Sequence, residues 1–393
     1  MKSVSVIGIG MSRSTLTAQA LEAVKQADLL IGAPRMLSEF KDLKKNTSVA
    51  FLAQDILGVI RSSEAERIAV LFSGDVGFYS GAAGLLSILD PGSVTVYPGI
   101  SSAVYFFAKC GRPWQDATLV SCHGLDTDLV SPVRRNSEVF ALTGGNVEEL
   151  AGSLIRAGFG DLKVTVGESL SYNYEKIWSA KVSDLPGRSF SSLTVLLIDN
   201  PAPESCVRSG IPDEEFVRSS VPMTKSEVRA VCLSKLHVRP SDVCYDIGCG
   251  TGSVTVEMAL AAYEGRVYAF DKKQEAVDLT QQNCVAFHLG NVTAVTGKAP
   301  EVLNGIPDPD VVFIGGSSGK IGPILRLLYA RNPSVHFVIT AICLETLTDA
   351  VSGLKAIGRD PEIVQISAAR TKAVASLHML EAQNPIFIIS DRT

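Results

Sequence analysis

A chain of 393 residues, 46% hydrophobic and 20% charged, can build two or three domain cores and is too apolar to stay disordered. Its formal net charge of −5 argues against a nucleic-acid or anionic-membrane surface, while leaving room for a local basic pocket. No apolar run reaches the roughly 18 residues of a membrane span, and the N-terminus passes straight into a strand, so a cytoplasmic protein is expected. The eight cysteines, at positions 110, 122, 206, 232, 244, 249, 284 and 343, are scattered without C-x-x-C spacing and without clustered histidines. Reduced thiols, with neither zinc nor a disulfide framework, are the expectation.

In chain order, Val4–Gly10 reads as the first strand, followed by a helix from about Thr15 to Gln26. Asp28–Gly32, Ile68–Phe72 and Val94–Tyr97 read as further strands. The third runs into Gly74–Ser80, and the fourth into Pro98–Ser102 and a helix to Cys110. Strands alternating with helices predict a mostly parallel sheet, and ligands in such sheets lie beyond the carboxyl ends of the strands. Gly74–Ser80 and Pro98–Ser102 should therefore line one crevice. Val139–Thr143, a helix over Val147–Ala157 and the strand Lys163–Glu168 follow, with shorter antiparallel pieces around Tyr174–Trp178 and Leu193–Ile198. An α/β lobe plus a mixed lobe is the predicted shape of this first half.

The proline-rich stretch Asn200–Glu204 breaks regular structure and places the domain boundary between there and Ile211, giving domains 1–203 and 211–393. Thr224 and Glu227 have the spacing of a capping box for the next helix. Val243–Ile247 is a buried strand, Gly248, Gly250 and Gly252 follow at alternate positions, and a helix starts at Ser253 with Ser253 or Thr251 as its cap. Glycines at a strand-to-helix turn let backbone approach a ligand closely. A second strand, Arg266–Phe270, ends in Asp271, about 20 residues on, where a carboxylate can accept both hydroxyls of a ribose. Asp310–Ile314, Val335–Ile339, Glu362–Ile366 and Ile386–Ile389 read as further strands, an order that fits a seven-stranded sheet whose last members form an antiparallel edge.

The run Asp246-Ile247-Gly248-Cys249-Gly250-Thr251-Gly252 with Asp271 resembles the class I S-adenosylmethionine-dependent methyltransferases. The first half, through VSVIGIG, SGDVGFYSGA, YPGISSAVYFFAKCGRPWQDATLVSCHG, LTGG and VTVGE, is similar to the tetrapyrrole (corrin and porphyrin) methylases that act on carbon 5 of the ring. The second half, through IPDEEF, MTKSEVRA, DIGCGTGSVTVE, GKAPE, FIGGSSGK and TAICLET, resembles the decarboxylating carbon 15 methyltransferases. The resemblance covers nearly the whole chain. It implies an α/β protein with an N-terminal two-lobed tetrapyrrole methylase fold and a C-terminal Rossmann-like class I methyltransferase domain. It also implies one S-adenosylmethionine per domain, a precorrin or cobalt-precorrin substrate, no nucleic-acid or membrane partner, and a homo-oligomer. Met11-Ser12 and Val76 depart from the family's Pro-Gly and Gly-Asp-Pro, and Val76 lacks the fixed φ of proline.

By that resemblance, Thr224, Gly248, Cys249, Gly250, Thr251, Gly252, Asp271 and Ala299 hold the C-terminal cofactor. Gly74, Asp75, Val76, Ser101, Ser102, Leu142 and Thr194 hold the N-terminal one, largely through backbone groups. A substrate with many carboxylates calls for cations. Lys225, Arg229, Arg370 and Lys372 are the candidates at the C-terminal site, and Arg112 and His123 at the N-terminal one. The plain competing reading for each is a solvated surface charge or, for His123, a structural histidine. No nucleophile–base pair is evident, and no metal ligands are assigned. Methyl transfer to an enamine-like ring carbon needs alignment more than acid–base help, and alignment can contribute about 7–11 kcal/mol. An RNA methyltransferase and a non-catalytic tetrapyrrole scaffold are the competing functions. The acidic balance and lack of a basic, aromatic-rich stretch count against the first, and the intact glycines with Asp271 against the second.

Overall fold

Alternate residues of the N-terminal strands enter two different cores, as happens when both faces of a sheet are covered. In the computed structural model, which describes residues 2–123, 128–204 and 208–392, β1 (Ser3–Gly8), β2 (Leu29–Gly32), β3 (Asn46–Val49), β4 (Arg67–Phe72) and β5 (Val94–Tyr97) form a sheet in the order β3-β2-β4-β1-β5. All its pairings are parallel. Val4, Val6, Ile68 and Val70 pack on one face, and Ile7, Ala69 and Leu71 on the other. Edge strand β3 and the helix Ala53–Ser62 behind it escaped sequence reading. The strand is polar and mostly exposed, so it carries no alternation signal. The first helix starts at Ala18 rather than Thr15, with Thr17 capping Ala20 N–H at 3.2 Å.

The mixed lobe is a second five-stranded sheet of β6 (Thr118–Ser121), β7 (Glu138–Leu142), β8 (Lys163–Glu168), β9 (Lys176–Lys181) and β10 (Thr194–Asp199), in the order β6-β7-β10-β8-β9. Only β6 and β7 run parallel. Phe106 and Phe107 of the helix Ser102–Cys110 pack on Phe140 of β7, which joins the two lobes through one aromatic core.

The C-terminal sheet takes β11 (Val243–Ile247), β12 (Arg266–Asp271), β13 (Val292–Thr296), β14 (Val311–Ile314), β15 (His336–Ala341), β16 (Asp360–Ile366) and, after the hairpin β17 (Ala369–Val374) and β18 (Leu377–Ala382), β19 (Ile386–Arg392). Its order is β13-β12-β11-β14-β15-β19-β16, with β19 antiparallel to both neighbours. The hairpin was missed because its residues are nearly all exposed and bury no face. The helix Ser253–Ala261 is buried from Ser253 to Leu260 and so shows no amphipathic stripe. Neither predicted cap forms. Gly252, in the left-handed conformation, precedes this helix, and the helix Ser226–Leu236 starts after Lys225 with no side-chain cap. Buried Asp213 accepts from Ser226 N–H at 3.0 Å there, and Glu227 pairs with Arg370 instead.

Two compact units divide the described residues. One comprises the described parts of Met1–Thr127, Ser137–Leu150 and Leu162–Asn200, and the other those of Asp128–Asn136, Ala151–Asp161 and Pro201–Thr393. Of the seven described cysteines, five are buried, Cys110 is half-buried and Cys343 is exposed, and Cys206 lies outside the described residues. Among the described residues, no helix is long and apolar enough to cross a membrane, and no group of three or more His, Cys, Asp and Glu could hold a metal ion.

The sheet's outer half carries a pH-sensitive contact. His336 Nδ1 lies 2.6 Å from buried Asp391, and Nε2 lies 2.7 Å from the Lys235 carbonyl. Burial works to lower the imidazole's pKa, but these two acceptors outweigh it and the net direction is upward. A group with a raised folded pKa stabilises fully below its unfolded value, about 6.5, and loses that contribution as pH rises through the folded value. His336→Gln should therefore lower C-terminal stability at pH 5.5 and matter less at pH 9. Hydrogen exchange at the two pH values measures this, and an equal loss at both would refute the charged pair.

Candidate active site

Four parallel strands, β11 to β14, end on the same side of the C-terminal sheet, and their loops meet there. Ile247 is the hub. Its carbonyl accepts from Gly315 and Gly316 N–H at 2.9 and 3.1 Å, while Gly248 and Cys249 N–H reach the Phe270 carbonyl at 2.8 and 3.1 Å. Gly248 has φ of +79°, and a Cβ there would stand 2.5 Å from Gly316 N. A Cβ on Gly250 would stand 2.5 Å from the Pro222 carbonyl, and one on Gly252 would press into Thr280 at 2.7 Å. These glycines are therefore required by the chain's own loops as well as by any ligand. Gly315 and Gly316, which are not among the residues the resemblance assigns to the cofactor, also line the cleft. Their signal was a second strand ending in glycines.

These loops enclose a cleft of about 750 Å³, within the roughly 300–1,000 Å³ of small-molecule sites. Thr224, Lys225, Gly248, Cys249, Gly250, Asp271 and Ala299 line it. Asp271 Oδ2 accepts from Gly250 N–H at 3.2 Å and Oδ1 from Lys273 N–H at 3.0 Å, which ties the acidic strand end to the glycine turn. Beneath, Asp246 is fully buried. Burial pushes its carboxyl up to about 7, against the hydrogen bond from Thr255 Oγ1 at 2.5 Å. The Cys249 thiol is likewise pushed up by burial and accepts from Thr280 Oγ1 at 3.3 Å.

Five C-terminal residues stand elsewhere than expected. Thr251 is 1% exposed and Gly252 is buried against Thr280, so neither reaches the cleft. Arg229 is 0% exposed, with Nε 2.5 Å from Glu257 and Nη1 3.4 Å from Asp213. It also donates to the Thr224 and Ile211 carbonyls, and its complete burial keeps it from a substrate. It holds the cleft wall from behind. Arg370 is paired with Asp213 at 2.8 Å and Glu227 at 2.6 Å. Lys372 lies on the exposed hairpin near Glu381, off the cleft lining.

At the N-terminal strand ends, Gly8, Gly74 and Gly99 form a comparable junction. A Cβ on Gly99 would stand 2.2 Å from the Gly74 carbonyl and 2.6 Å from that of Gly8. Gly74 pairs with Gly10 in a two-residue bridge, and Asp75 staples the loop through Gly77 N–H (2.8 Å) and Gly99 N–H (3.0 Å). That staple supplies the rigidity a proline at position 76 would have given, and Val76 packs into the core. Ser101 caps Val104 N–H, Ser102 begins that helix, and Thr194 donates to the Ser191 carbonyl. Ser101 and Thr194 are both buried, and Leu142 packs into the aromatic core.

Arg112 is corrected too. It pairs with Glu138 and Asp199, each at 2.7 Å, at the far end of β7 and β10 from Leu142 and Thr194. Four strand residues, about 13 Å, separate those ends. His123 is exposed, with Nδ1 3.1 Å from Ser121 Oγ.

The C-terminal unit thus joins a glycine turn to an acidic strand end at one end of the parallel strands of a seven-stranded sheet. Residues 3–186 match the family described as Tetrapyrrole (Corrin/Porphyrin) Methylases, and residues 215–391 match the Precorrin methyltransferase domain. A protein of Pyrobaculum calidifontis named probable cobalt-precorrin-6B C(15)-methyltransferase (decarboxylating) is 45% identical over 46% of this chain and 94% of its own length. The precorrin-6Y C(5,15)-methyltransferase [decarboxylating] of Sinorhizobium sp is 29% identical over 86% of this chain and 84% of its own. A crystal structure titled precorrin-6y C5,15-methyltransferase from Geobacter metallireducens GS-15 shows 38% identity, covers 47% of this chain and 96% of that one, and has a TM-score of 0.45. The chain belongs to the precorrin-6Y C(5,15)-methyltransferase (decarboxylating) family, whose members use S-adenosylmethionine as methyl donor.

Proposed function

We propose that this chain carries out two C-methylations on one corrin precursor, precorrin-6Y or its cobalt form. The N-terminal domain methylates carbon 5. The C-terminal domain methylates carbon 15 and decarboxylates the acetate on carbon 12. Each domain takes one S-adenosylmethionine, and the protein works in the cytoplasm as a homo-oligomer; free buried thiols fit that reducing compartment. The observation that carries the reading is the presence of two separate glycine junctions at strand ends, Gly8–Gly74–Gly99 and Gly248–Gly250–Gly316, one in each unit.

The C-terminal residues fit the cofactor. The cleft has the volume, the glycine turn leaves no side chain in the way, and Asp271 presents a carboxylate at its rim. Bound S-adenosylmethionine supplies an electrophilic methyl group. Asp271 would hold the ribose, and Gly248 to Gly250 with Ala299 would flank the rest. The acceptor carbon is already electron-rich, so the chain's work is alignment and exclusion of water. When carbon dioxide leaves the acetate, the conjugated ring takes up the electron pair of the broken bond, and a poorly solvated pocket favours that loss.

Mass spectrometry of the product formed from precorrin-6Y and labelled S-adenosylmethionine tests this reading, with two added methyls and one lost carbon dioxide as the expected result. Gly74→Val separates the halves. Gly74 has φ of +68°, and its Cβ position is open, the nearest atom being Ser101 Cα at 3.8 Å. The block therefore comes from forcing a β-branched residue into the left-handed region. The variant should add one methyl only, with carbon dioxide still lost; two added methyls would place the carbon 5 site elsewhere.

A further inference from the structure

We propose that lysines gathered around the C-terminal cleft form a rim that binds the acceptor through several separate carboxylates. The proposal rests on the methyltransferase reading of the same cleft. Lys225 precedes a helix, Lys272 and Lys273 follow β12, Lys298 follows β13 and Lys320 lies in the loop after β14, and all five line the cleft. Only Asp271 and Glu301 line it with the opposite sign, so the lining carries 5 − 2 = 3 excess positive charges in a chain of net charge −5. Four loops thus bring cations to one opening against the charge of the whole molecule.

The lysines are not there to pair within the protein. Asp271 is taken up by the backbone N–H groups of Gly250 and Lys273. Lys272 Nζ donates to Ser318 Oγ at 3.1 Å, which leaves its charge uncompensated, and Lys225 is 4.0 Å from Asp213. No ion pair engages Lys273, Lys298 or Lys320 among the described residues. Like charges around one opening repel, and an anionic guest turns that repulsion into attraction. The residue type narrows the guest. Arginine's planar fork matches one carboxylate held bidentately, whereas flexible point-charge lysines suit carboxylates spread around a ring. The two arginines proposed from sequence for this site are both paired with carboxylates; the lysines are the available cations.

Uroporphyrin, an octacarboxylate porphyrin, is a stable probe for this rim. Fluorescence titration of the full chain should show it binding more tightly than tetracarboxylate coproporphyrin, with affinity falling as salt screens the charges. The variant combining Lys272→Gln, Lys298→Gln and Lys320→Gln should weaken uroporphyrin at least tenfold at low salt and flatten the salt dependence. A charge-matched variant at exposed residues outside the cleft lining, combining Lys44→Gln, Lys176→Gln and Lys355→Gln, should change it less than twofold. Equal effects of the two variants, or none from the rim variant, would overturn the proposal. So would a wild-type chain that binds S-adenosylhomocysteine but prefers the tetracarboxylate. Failure of the wild-type chain to bind S-adenosylhomocysteine at all would instead refute the methyltransferase reading itself.

Discussion

Arg229→Met should destabilise the C-terminal unit by about 3–5 kcal/mol, the usual cost of stranding a buried charge. The guanidinium is fully buried, stacks on Phe216 at 4.8 Å from the ring centre, and bridges Glu257 and Asp213. Without it, Glu257 keeps the Gly210 and Ile211 N–H groups, at 2.7 and 3.0 Å, but no counter-charge. Asp213 keeps Arg370. Methionine preserves volume, so the loss reflects charge rather than a cavity. Adding Glu257→Gln should recover part of it, because the stranded charge is then gone. Hydrogen exchange of the slowest amides in the helices Ser226–Leu236 and Ser253–Ala261 is the measurement, since it reports on this unit alone. A loss below about 1 kcal/mol would mean the triad is solvated or rearranges freely.

Asp271→Ala should weaken S-adenosylhomocysteine at one of two sites by tenfold or more and leave the other unchanged in calorimetric titration of the full chain. A charge-assisted hydrogen bond contributes about 1.5–3 kcal/mol, and tenfold is about 1.4 kcal/mol. The structure adds a second route to the same loss. The carboxylate also receives Gly250 and Lys273 N–H, so its removal loosens the glycine turn, which then stays tied to the strand end through the Phe270 carbonyl. Asp271→Asn separates the two. Its carbonyl can still accept one turn N–H, while the paired acceptors for two hydroxyls are gone. Wild-type affinity in both variants would remove Asp271 from the cofactor site.

Much of the molecule was legible before its structure. Interior strands such as Ile68–Phe72 and Val243–Ile247 are apolar on both faces, and that run survives in one dimension as an uninterrupted signal. The glycine turn and Asp271 were legible for a similar reason: they are close in sequence to the strands that position them. Elements without a buried face, β3 and the hairpin β17–β18, left no periodicity to read. The buried helix Ser253–Ala261 was found by its place after the glycines, since its pattern is apolar all round.

What sequence could not assign was the destination of each charge. Arg229, Arg370 and Arg112 read as free cations and are bound to Glu257, Asp213, Glu227, Glu138 and Asp199, most of them distant in sequence. Lys272, Lys298 and Lys320 carry no assignment from sequence and meet at one cleft. The cause is physical. A strand or a glycine turn is specified by neighbours a few residues away, through sterics and burial period. An ion pair is specified by distance in space, and only the folded sheet brings the ends of β11, β12, β13 and β14 together. The order of elements, the glycine turn and the acidic strand end were therefore determined by sequence alone. Which cations face the cleft, and which hold its wall, was decided by tertiary structure.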